Sequence, residues 1–278
     1  MTAPLLEVAN LRVRFPTPTG TVEVVRGVSF TLGRERLGIV GESGSGKSLT
    51  GRSILRLIRK PGEVTADRLR FEGIDLLSAS EWQMRGIRGA RISMVMQDPK
   101  FSLNPVMTVG EQIGEALAVH EHLPRRQIRS RVLEMLEAVQ IRDPQRVFGL
   151  YPHELSGGMG QRVMIAMMLI PEPSILIADE PTSALDVSVQ GEVLRLMNDL
   201  ITRKGMGLIF ISHDLHLVSQ FCDRILVMYR GRIVEECAAG ELDRATHPYT
   251  RGLIASVPRM DETRAELPVL DRSQWEQA

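Results

Sequence analysis

The chain has 278 residues and carries 34 Lys or Arg against 34 Asp or Glu, so its formal net charge is zero and a dedicated nucleic-acid surface, which needs a basic excess, is not expected. A hydrophobic content of 43% is enough for a packed core in one large domain or two small ones. The two cysteines form no C-x-x-C pair, which indicates a reducing compartment and argues against structural zinc.

The first third of the chain predicts extended structure around one short buried strand. Residues 5–15 alternate between apolar and polar, and residues 21–32 give a second extended stretch after a turn, so an antiparallel layer is expected. Residues 37–40 predict a buried strand, and residues 49–59 predict the helix that follows it. Residues 68–71 predict a further strand of the antiparallel layer.

The middle of the chain changes to helical patterns. Residues 91–97 predict a core strand, and beyond it apolar residues recur every four positions, as at Val109, Ile113 and Leu117, which predicts a helical insertion. Residues 175–178 and 208–212 predict short strands of a buried parallel sheet, with a long amphipathic helix over 189–201 between them. Residues 225–235 predict a hairpin that turns at Arg230-Gly231.

A glycine-rich loop stands between the predicted strand 37–40 and its helix. A strand, a glycine loop and a helix in this order form the phosphate cradle of nucleoside-triphosphate-binding proteins, because the glycines let backbone N–H groups approach phosphate oxygens. Lys47 would reach the β- and γ-phosphates, and the Ser48 hydroxyl would hold Mg²⁺. A glycine loop alone could be a mere turn, but the Lys-Ser pair favours nucleotide binding. The predicted nucleotide-binding residues here are Gly41, Glu42, Ser43, Gly44, Ser45, Gly46, Lys47 and Ser48.

Four further motifs follow the loop. Residues 155–162 read Leu-Ser-Gly-Gly-Met-Gly-Gln-Arg, and residues 175–186 read Ile-Leu-Ile-Ala-Asp-Glu-Pro-Thr-Ser-Ala-Leu-Asp. Gln97 ends the predicted strand 91–97, and His213 follows the predicted strand 208–212. In order and spacing these motifs, together with the loop, resemble the ATP-binding subunit of an ABC transporter. The resemblance covers roughly residues 5–260.

The resemblance implies catalytic roles for four of these residues. Asp179 and Gln97 hold Mg²⁺ together with Ser48, and Glu180 polarises the attacking water as general base. In an extended chain, Glu180 would point away from Asp179. His213 contacts the γ-phosphate. A surface Asp-Glu pair and a polar histidine at a strand end are the alternatives for these positions.

The resemblance also implies that the second glycine motif and an aromatic residue bind ATP. Ser156, Gly157 and Gly158 at a helix start offer a second anion site, which would close over the ATP held by a partner subunit's loop; an ordinary N-cap is the alternative. Asp186 would link the two ATP sites of the dimer, a role compatible with an N-cap. Phe15 would stack on adenine, although a strand phenylalanine can also be core.

The implied fold is α/β: a P-loop NTPase (RecA-like) parallel-sheet core with an antiparallel β layer and a helical subdomain. The ATP-binding domain would span residues 5–260, with the helical subdomain inserted at about 98–165, followed by a polar tail at 261–278. ATP and Mg²⁺ are the expected cofactors.

The carboxy-terminal region indicates a branch of the family. Residues 247–253 read His-Pro-Tyr-Thr-Arg-Gly-Leu, which, with Val257-Pro258, resembles the signature of the peptide/nickel importer group. Many peptide importers continue into a cysteine-bearing tail, but residues 267–278 contain no cysteine, so nickel, metal chelates and opines stay open as cargo. The expected function is ATP hydrolysis that drives uptake of peptides, nickel or a similar small solute. The alternative is a soluble ABC-type ATPase linked to nucleic acid or ribosomes, which would need an arm insertion, two cassettes or a basic excess.

Any membrane connection is expected to run through partners. The apolar run 163–170 is far shorter than the roughly 20 residues that span a bilayer, and the first seven residues predict no signal peptide. The resemblance implies two transmembrane permease subunits, a second ATP-binding subunit (identical or paralogous) and an extracytoplasmic solute-binding protein, and no nucleic acid. The subunit would lie at the cytoplasmic face of the inner (plasma) membrane. Phe101 and Leu103 are predicted to be exposed for docking; packing against the subdomain's own helices is the alternative.

Overall fold

The computed structural model describes residues 3–95, 103–183 and 185–256, without the side chain of Val187. Within these residues the chain forms two compact units: 3–78 together with 209–256, and 79–208. No helix in the described ranges has both the length and the hydrophobicity to cross a membrane. Gln97 and Phe101 lie outside the described residues, as do Val257, Pro258 and the predicted tail.

The elements alternate between strand-rich and helix-rich regions along the chain. The chain begins with β1 (Leu6–Thr17), β2 (Gly20–Leu32), β3 (Arg36–Val40), α1 (Lys47–Ile54), β4 (Glu63–Thr65), β5 (Arg68–Phe71) and β6 (Ile74–Asp75). The second unit then holds α2 (Glu81–Ile87), β7 (Ile92–Val95), α3 (Val109–Ala118), α4 (Arg125–Ala138), α5 (Pro144–Phe148), a 3-10 turn (Pro152–Glu154), α6 (Gly157–Leu169), β8 (Ile175–Asp179) and α7 (Val187–Lys204). The chain continues through β9 (Gly207–Ser212), α8 (Leu215–Phe221), β10 (Arg224–Tyr229), β11 (Arg232–Ala238), a 3-10 stretch (Ala239–Arg244) and α9 (Pro248–Ser256).

The first unit contains the predicted antiparallel layer. Its strand order is β2-β1-β5-β6, with β4 also paired to β1. Along β1 buried apolar residues alternate with less buried ones on each side of a register shift: Leu6 and Val8 before it, and Leu11 and Val13 after it, are at most 4% exposed. This alternation buries one face of the sheet, which is the physical basis of the sequence pattern.

A parallel pair of strands in the same unit leads to the glycine loop. β3 runs parallel to β10, with Val40 opposite Val227, and β10 pairs antiparallel with β11. The hairpin predicted to turn at Arg230-Gly231 is confirmed. Leu37, Ile39 and Val40 are at most 1% exposed, as expected for a strand covered on both faces. The carboxyl end of this buried strand therefore sets the position of residue 41.

Helix α1 is shorter than the helix predicted over 49–59. It begins at Lys47, inside the loop motif, and ends at Ile54. Arg56 is left-handed with φ 53°; its N–H donates to the Ser53 carbonyl, and the Leu57 N–H donates to the Arg52 carbonyl. This pair of bonds is a Schellman stop, which usually carries glycine at the left-handed position. Arginine there hides the stop signal in the sequence.

The helices of the second unit bury the predicted periodic stripes. Val109, Ile113 and Leu117 of α3 are all 0% exposed, as are Val132 and Leu136 of α4. In the same unit β7 runs parallel to β8. Helices thus occupy much of the region between these two strands, as predicted. The predicted limits of the ATP-binding domain and its helical subdomain stay predictions.

Candidate functional site

The glycine loop joins β3 to α1 in conformations that only glycine adopts easily. Gly41, Gly44 and Gly46 have φ values of 156°, 82° and 103°. A Cβ on Gly41 would lie 2.1 Å from the Met228 carbonyl oxygen, so β10 leaves no room for a side chain there. A Cβ on Gly44 would meet nothing within 4 Å, and glycine is favoured at that position by its positive φ alone.

Lys47 is folded across the loop that it follows. Its side chain is 5% exposed, and Nζ donates hydrogen bonds to the Gly41 carbonyl at 2.7 Å and to the Glu42 carbonyl at 2.9 Å. Two carbonyl acceptors offset part of the cost of burying an ammonium group. The charge is thereby held within the loop, where a phosphate would need it.

The Ser45 hydroxyl is a polar group that needs a ligand or water. The residue is 4% exposed, and its Oγ has no hydrogen-bond partner among the described residues. Leaving a buried hydroxyl unpaired costs about 1–3 kcal/mol. An oxygen or N–H group of a bound ligand would remove that cost, so this hydroxyl marks the loop as a binding surface.

In the second unit, two adjacent carboxylates end β8. Asp179 is the last strand residue and is 3% exposed. Glu180 leaves the strand in a left-handed conformation with φ 48° and is half-buried. The expectation that the chain is extended at Glu180 is therefore wrong, because the chain turns there; that Glu180 points away from Asp179 stays a prediction. A non-glycine residue in this region carries about 1–3 kcal/mol of strain, and such strain concentrates at functional sites.

The turn after Glu180 is held by two glutamines of neighbouring helices. The buried Gln161 of α6 donates from Nε2 to the Pro181 carbonyl, and Gln190 of α7 donates from Nε2 to the Thr182 hydroxyl at 3.0 Å. The Glu180 carbonyl also accepts from Ser183, from its hydroxyl at 3.1 Å and its N–H at 3.3 Å. These bonds hold the left-handed turn in which Glu180 lies.

The second glycine motif opens helix α6, as predicted. Ser156 is the N-cap, and its hydroxyl accepts from the Met159 N–H at 3.4 Å. Gly157 and Gly158 form the first turn, where helices carry N–H groups without intrahelical partners. A Cβ on Gly158 would lie 3.0 Å from Val189 Cγ1, a tight approach to α7. The arrangement suits an anion at the helix start.

Asp186 is the N-cap of α7. Its carboxylate accepts from the Val189 N–H at 3.0 Å and from the Ser188 hydroxyl at 2.9 Å. The Val189 N–H, and after it the Ser188 hydroxyl, lower the pKa of this carboxyl below its ordinary value. The prediction that Asp186 is an N-cap is confirmed. The residue is exposed to solvent.

His213 and Phe15 lie in the first unit and are not core residues. His213 is exposed directly after β9, before Asp214 caps α8 by accepting from the Leu217 N–H at 3.0 Å. Phe15 is half-buried on β1, and a Cβ on Gly62 would lie 2.6 Å from its Cε1. Both rings therefore remain accessible to a ligand in part.

Comparison with known proteins places this set of motifs in one family. The model of the ABC transporter family matches residues 25–183, more than half of the chain. The chain belongs to the ABC transporter family. The predicted α/β fold with a P-loop ATPase cassette is confirmed, and so is the ATPase function in transport.

Similar proteins of this ABC family cover nearly the whole chain. The dipeptide transport ATP-binding protein DppD of Bacillus subtilis is 49% identical over 96% of this chain and 81% of its own length. The oligopeptide transport ATP-binding protein OppD of the same organism is 48% identical over 94% of this chain and 74% of its own length. The alternative of an ATPase unconnected with transport is not favoured by these relatives.

Two solved structures share the fold. A dimeric bacterial ABC transporter cassette is 28% identical, with a TM-score of 0.72, and covers 84% of this chain and 98% of its own. The cbiO1 protein of Clostridium perfringens, part of the cbiONQ transporter complex, is 27% identical, with a TM-score of 0.74, and covers 87% of this chain and 92% of its own. This ABC chain is accordingly an ATP-binding subunit that works with membrane permeases.

Sequence reasoning about this ABC subunit missed the residues that support its motifs from a distance. Gly231 was expected only as a hairpin turn, but its N–H donates to the Ser45 carbonyl at 2.9 Å and its carbonyl accepts from the Arg26 N–H at 2.7 Å. The turn thus ties the phosphate loop to β2. Gln161 lies within the motif of residues 155–162, but the sequence predicted no role for it. In the sequence, a supporting role could have been suspected for Gln161 only from its place in that motif, and for Gly231 only from its place in the predicted hairpin turn.

The expectation that Leu103 is exposed is wrong. Leu103 is 5% exposed, and the segment after it folds back on α3 through Gln112. The Gln112 side chain accepts from the Asn104 N–H at 2.8 Å and donates to the Asn104 and Met107 carbonyls at 3.1 and 2.9 Å. A single buried amide side chain thereby turns a proline-flanked loop inward.

Proposed function

We propose that this subunit powers the uptake of peptides. Its two Bacillus subtilis relatives, named for dipeptide and oligopeptide transport, support peptides over nickel at 48–49% identity across almost the whole chain. Residues 247–253, which resemble the signature of the peptide/nickel importer group, agree with a peptide cargo but do not by themselves separate it from nickel. The lack of cysteine in residues 267–278 does not bear on the cargo, because in this proposal the ATP-binding subunit does not itself touch the solute.

The observation that supports ATP as the energy source is the phosphate loop, with the Lys47 side chain hydrogen-bonded to it. Residues 41–48 wrap the triphosphate: the glycine backbone offers N–H groups, and Lys47 Nζ exchanges its carbonyl acceptors for β- and γ-phosphate oxygens. The unpartnered Ser45 hydroxyl finds an acceptor in the same ligand. The half-exposed ring of Phe15 stacks on the adenine.

Hydrolysis follows from the residues at the strand ends. Glu180, aimed by its left-handed turn, accepts a proton from the attacking water, and His213 donates a hydrogen bond to the γ-phosphate. The Ser48 hydroxyl and the buried Asp179 carboxylate are hard oxygen donors of the kind that Mg²⁺ prefers, and with Gln97 they are the groups that would hold it. When bound, Mg²⁺ neutralises charge on the phosphates.

A second ATP-binding subunit completes each site. The first turn of α6, with Ser156, Gly157 and Gly158, presents N–H groups that would close on the γ-phosphate held by the partner. Asp186, at the start of α7, carries the link between the two sites. The dimeric structure of a similar cassette supports this arrangement. The partner is a second copy or a paralogue.

The subunit works at the cytoplasmic face of the plasma membrane under two permease subunits, with an extracytoplasmic solute-binding protein that delivers cargo. ATP closes the dimer, and closure moves the helical subdomain at 98–165 and the Gln97 loop against the permeases. Hydrolysis removes the γ-phosphate contacts and lets the dimer open. In this scheme residues 5–260 are the motor domain, and residues 261–278 are the polar tail that follows it.

Three variants of the full chain test the chemistry. Lys47→Ala should abolish ATP binding. Glu180→Gln keeps size and hydrogen bonding, so ATP binding should survive while steady-state turnover falls by about 10²–10⁴-fold, the range of general-base loss. Glu137→Gln, on the exposed face of α4, is the matched control and should hydrolyse ATP as the wild type does. Wild-type turnover by Glu180→Gln would show that another group is the base.

The cargo is tested by reconstitution. The chain would be expressed with permease and solute-binding subunits from its source organism, chosen for their co-purification with it, and placed in proteoliposomes. ATP-dependent uptake of a labelled di- or oligopeptide, absent with Glu180→Gln, is the expected result. Uptake of nickel without any uptake of peptide would overturn the peptide assignment but leave the ATPase mechanism standing.

A further inference from the structure

A tyrosine near the end of the described chain contacts the first turn of the phosphate loop. Tyr249, in α9, is 0% exposed, and its hydroxyl oxygen accepts a hydrogen bond from the Glu42 N–H at 2.9 Å. Its ring lies 4.3 Å from that of Tyr229, at the end of β10. The sequence separation between Glu42 and Tyr249 is 207 residues, so the tertiary fold alone brings them together.

The Glu42 N–H belongs to the same peptide unit as the Gly41 carbonyl. That carbonyl accepts the 2.7 Å hydrogen bond from Lys47 Nζ. A trans peptide is planar, with its C=O and N–H pointing in opposite directions, so a rotation that moves one group moves the other. Tyr249 therefore holds one end of the peptide whose other end holds Lys47.

Helix α9, which carries Tyr249, is itself anchored at its start. The Glu235 carboxylate of β11 accepts hydrogen bonds from the Thr246 N–H at 2.6 Å and from the His247 N–H at 3.3 Å. The Tyr249 N–H donates to His247 Nδ1 at 3.2 Å, and Pro248 occupies the first helical position, where a missing N–H costs nothing. These hydrogen bonds hold residues 247–249 in place and so fix the position of the Tyr249 phenol group.

We propose that Tyr249 is a positioning residue of the ATP site. Its hydroxyl fixes the Gly41–Glu42 peptide and so sets where Lys47 rests before and during nucleotide binding. The inference rests on the proposed role of Lys47 and the loop in ATP binding. It assigns a physical task to the His-Pro-Tyr-Thr stretch, which ATP binding and hydrolysis by the motifs do not otherwise use.

The test compares two single-atom deletions in the full chain. Tyr249→Phe removes the acceptor and keeps the ring. Tyr229→Phe is the matched control, because its hydroxyl is buried and has no hydrogen-bond partner among the described residues. Tyr249→Phe should raise the Kd and KM for ATP about five- to tenfold, the effect of one hydrogen bond, with a smaller change in kcat. Tyr229→Phe should stay within about twofold of wild type.

A second measurement separates positioning from a general loss of stability. The Glu42 amide, followed by NMR in protein labelled with ¹⁵N-glutamate, should be protected from hydrogen exchange in the wild type without nucleotide and in Tyr229→Phe. It should exchange faster in Tyr249→Phe, by more than the fall in global stability measured from the Tm can account for. The wild-type protection can be measured even if a variant does not fold.

The outcomes distinguish this inference from the proposed function. Equal ATP affinity for Tyr249→Phe and Tyr229→Phe would overturn the inference, and so would rapid exchange of the Glu42 amide in the wild type. Wild-type protein that binds no ATP would instead refute the proposed function. Protection of the amide together with a selective loss of ATP affinity would support the positioning role.

Discussion

Gln161 offers a test of how the catalytic turn is held. Gln161 is 1% exposed, and its Nε2 donates to the carbonyl of Pro181, a buried residue directly after Glu180. Gln161→Leu keeps nearly the same volume, so little cavity forms, but the Pro181 carbonyl loses its donor. An unpaired buried carbonyl costs about 1–3 kcal/mol. The variant should therefore fold but be less stable than the wild type.

The expected shift can be stated for both stability and turnover. At about 2–4 °C per kcal/mol for a protein near this size, the Tm should fall by roughly 2–12 °C. Because the turn aims Glu180, the proposed base, kcat should fall by about 10- to 100-fold, the effect of a small misplacement at the chemistry. The Kd for ATP should stay near the wild-type value, since the phosphate loop is untouched.

The assay is calorimetric unfolding together with steady-state phosphate release by the full chain. Gln127→Leu, on the exposed side of α4, is the matched control and should change stability by no more than about 0.5 kcal/mol. A kcat for Gln161→Leu within twofold of wild type, with an unchanged Tm, would refute the reasoning. It would mean that the Glu180 turn keeps its shape without the amide.

Three further predictions concern the supports around the motifs. Gly231→Ala puts a Cβ 2.2 Å from the Val24 carbonyl oxygen of β2, at a residue whose φ is +83°. The free energy of unfolding, measured from the urea midpoint, should therefore fall by at least about 1–2 kcal/mol. The control is Gly240→Ala, whose Cβ would meet nothing within 4 Å and which should leave the midpoint unchanged. Burial raises the pKa of the Glu235 carboxyl, but the hydroxyl and amide donors around it lower that pKa by more. The ionised Glu235 carboxylate therefore stabilises the fold fully at pH values above the ordinary carboxyl pKa, and this stabilisation is lost as the pH falls through the lowered pKa. The Tm of the wild type should fall over that pH range. In Glu235→Gln the plot of Tm against pH should be flatter there. Leu103→Ala should cost about 2–5 kcal/mol in denaturant unfolding, whereas Trp82→Ala, at 83% exposure, should cost less than about 0.5; equal costs would contradict the burial of Leu103.

The local part of the fold could be predicted from the sequence because it depends on periodicity and on glycine. The spacing of Val109, Ile113 and Leu117 predicted helix α3, and these three side chains are fully buried. Residues 41–48 announced a phosphate loop, and its glycines have the positive φ values that such a loop requires. In each case the residues that form the feature lie within one or two turns of chain, so their side chains alone limit what the backbone can do.

The tertiary structure decided everything that depends on which distant surfaces meet. Nothing local to Glu42 indicates that Tyr249 would hold its N–H, and nothing local to Ser45 indicates that Gly231 would hold its carbonyl. The left-handed turn at Glu180 is likewise bonded, through the Pro181 carbonyl, by Gln161 of helix α6. Backbone groups carry no residue identity, so their partners are chosen by the packing of the elements around them and not by any pattern along the chain.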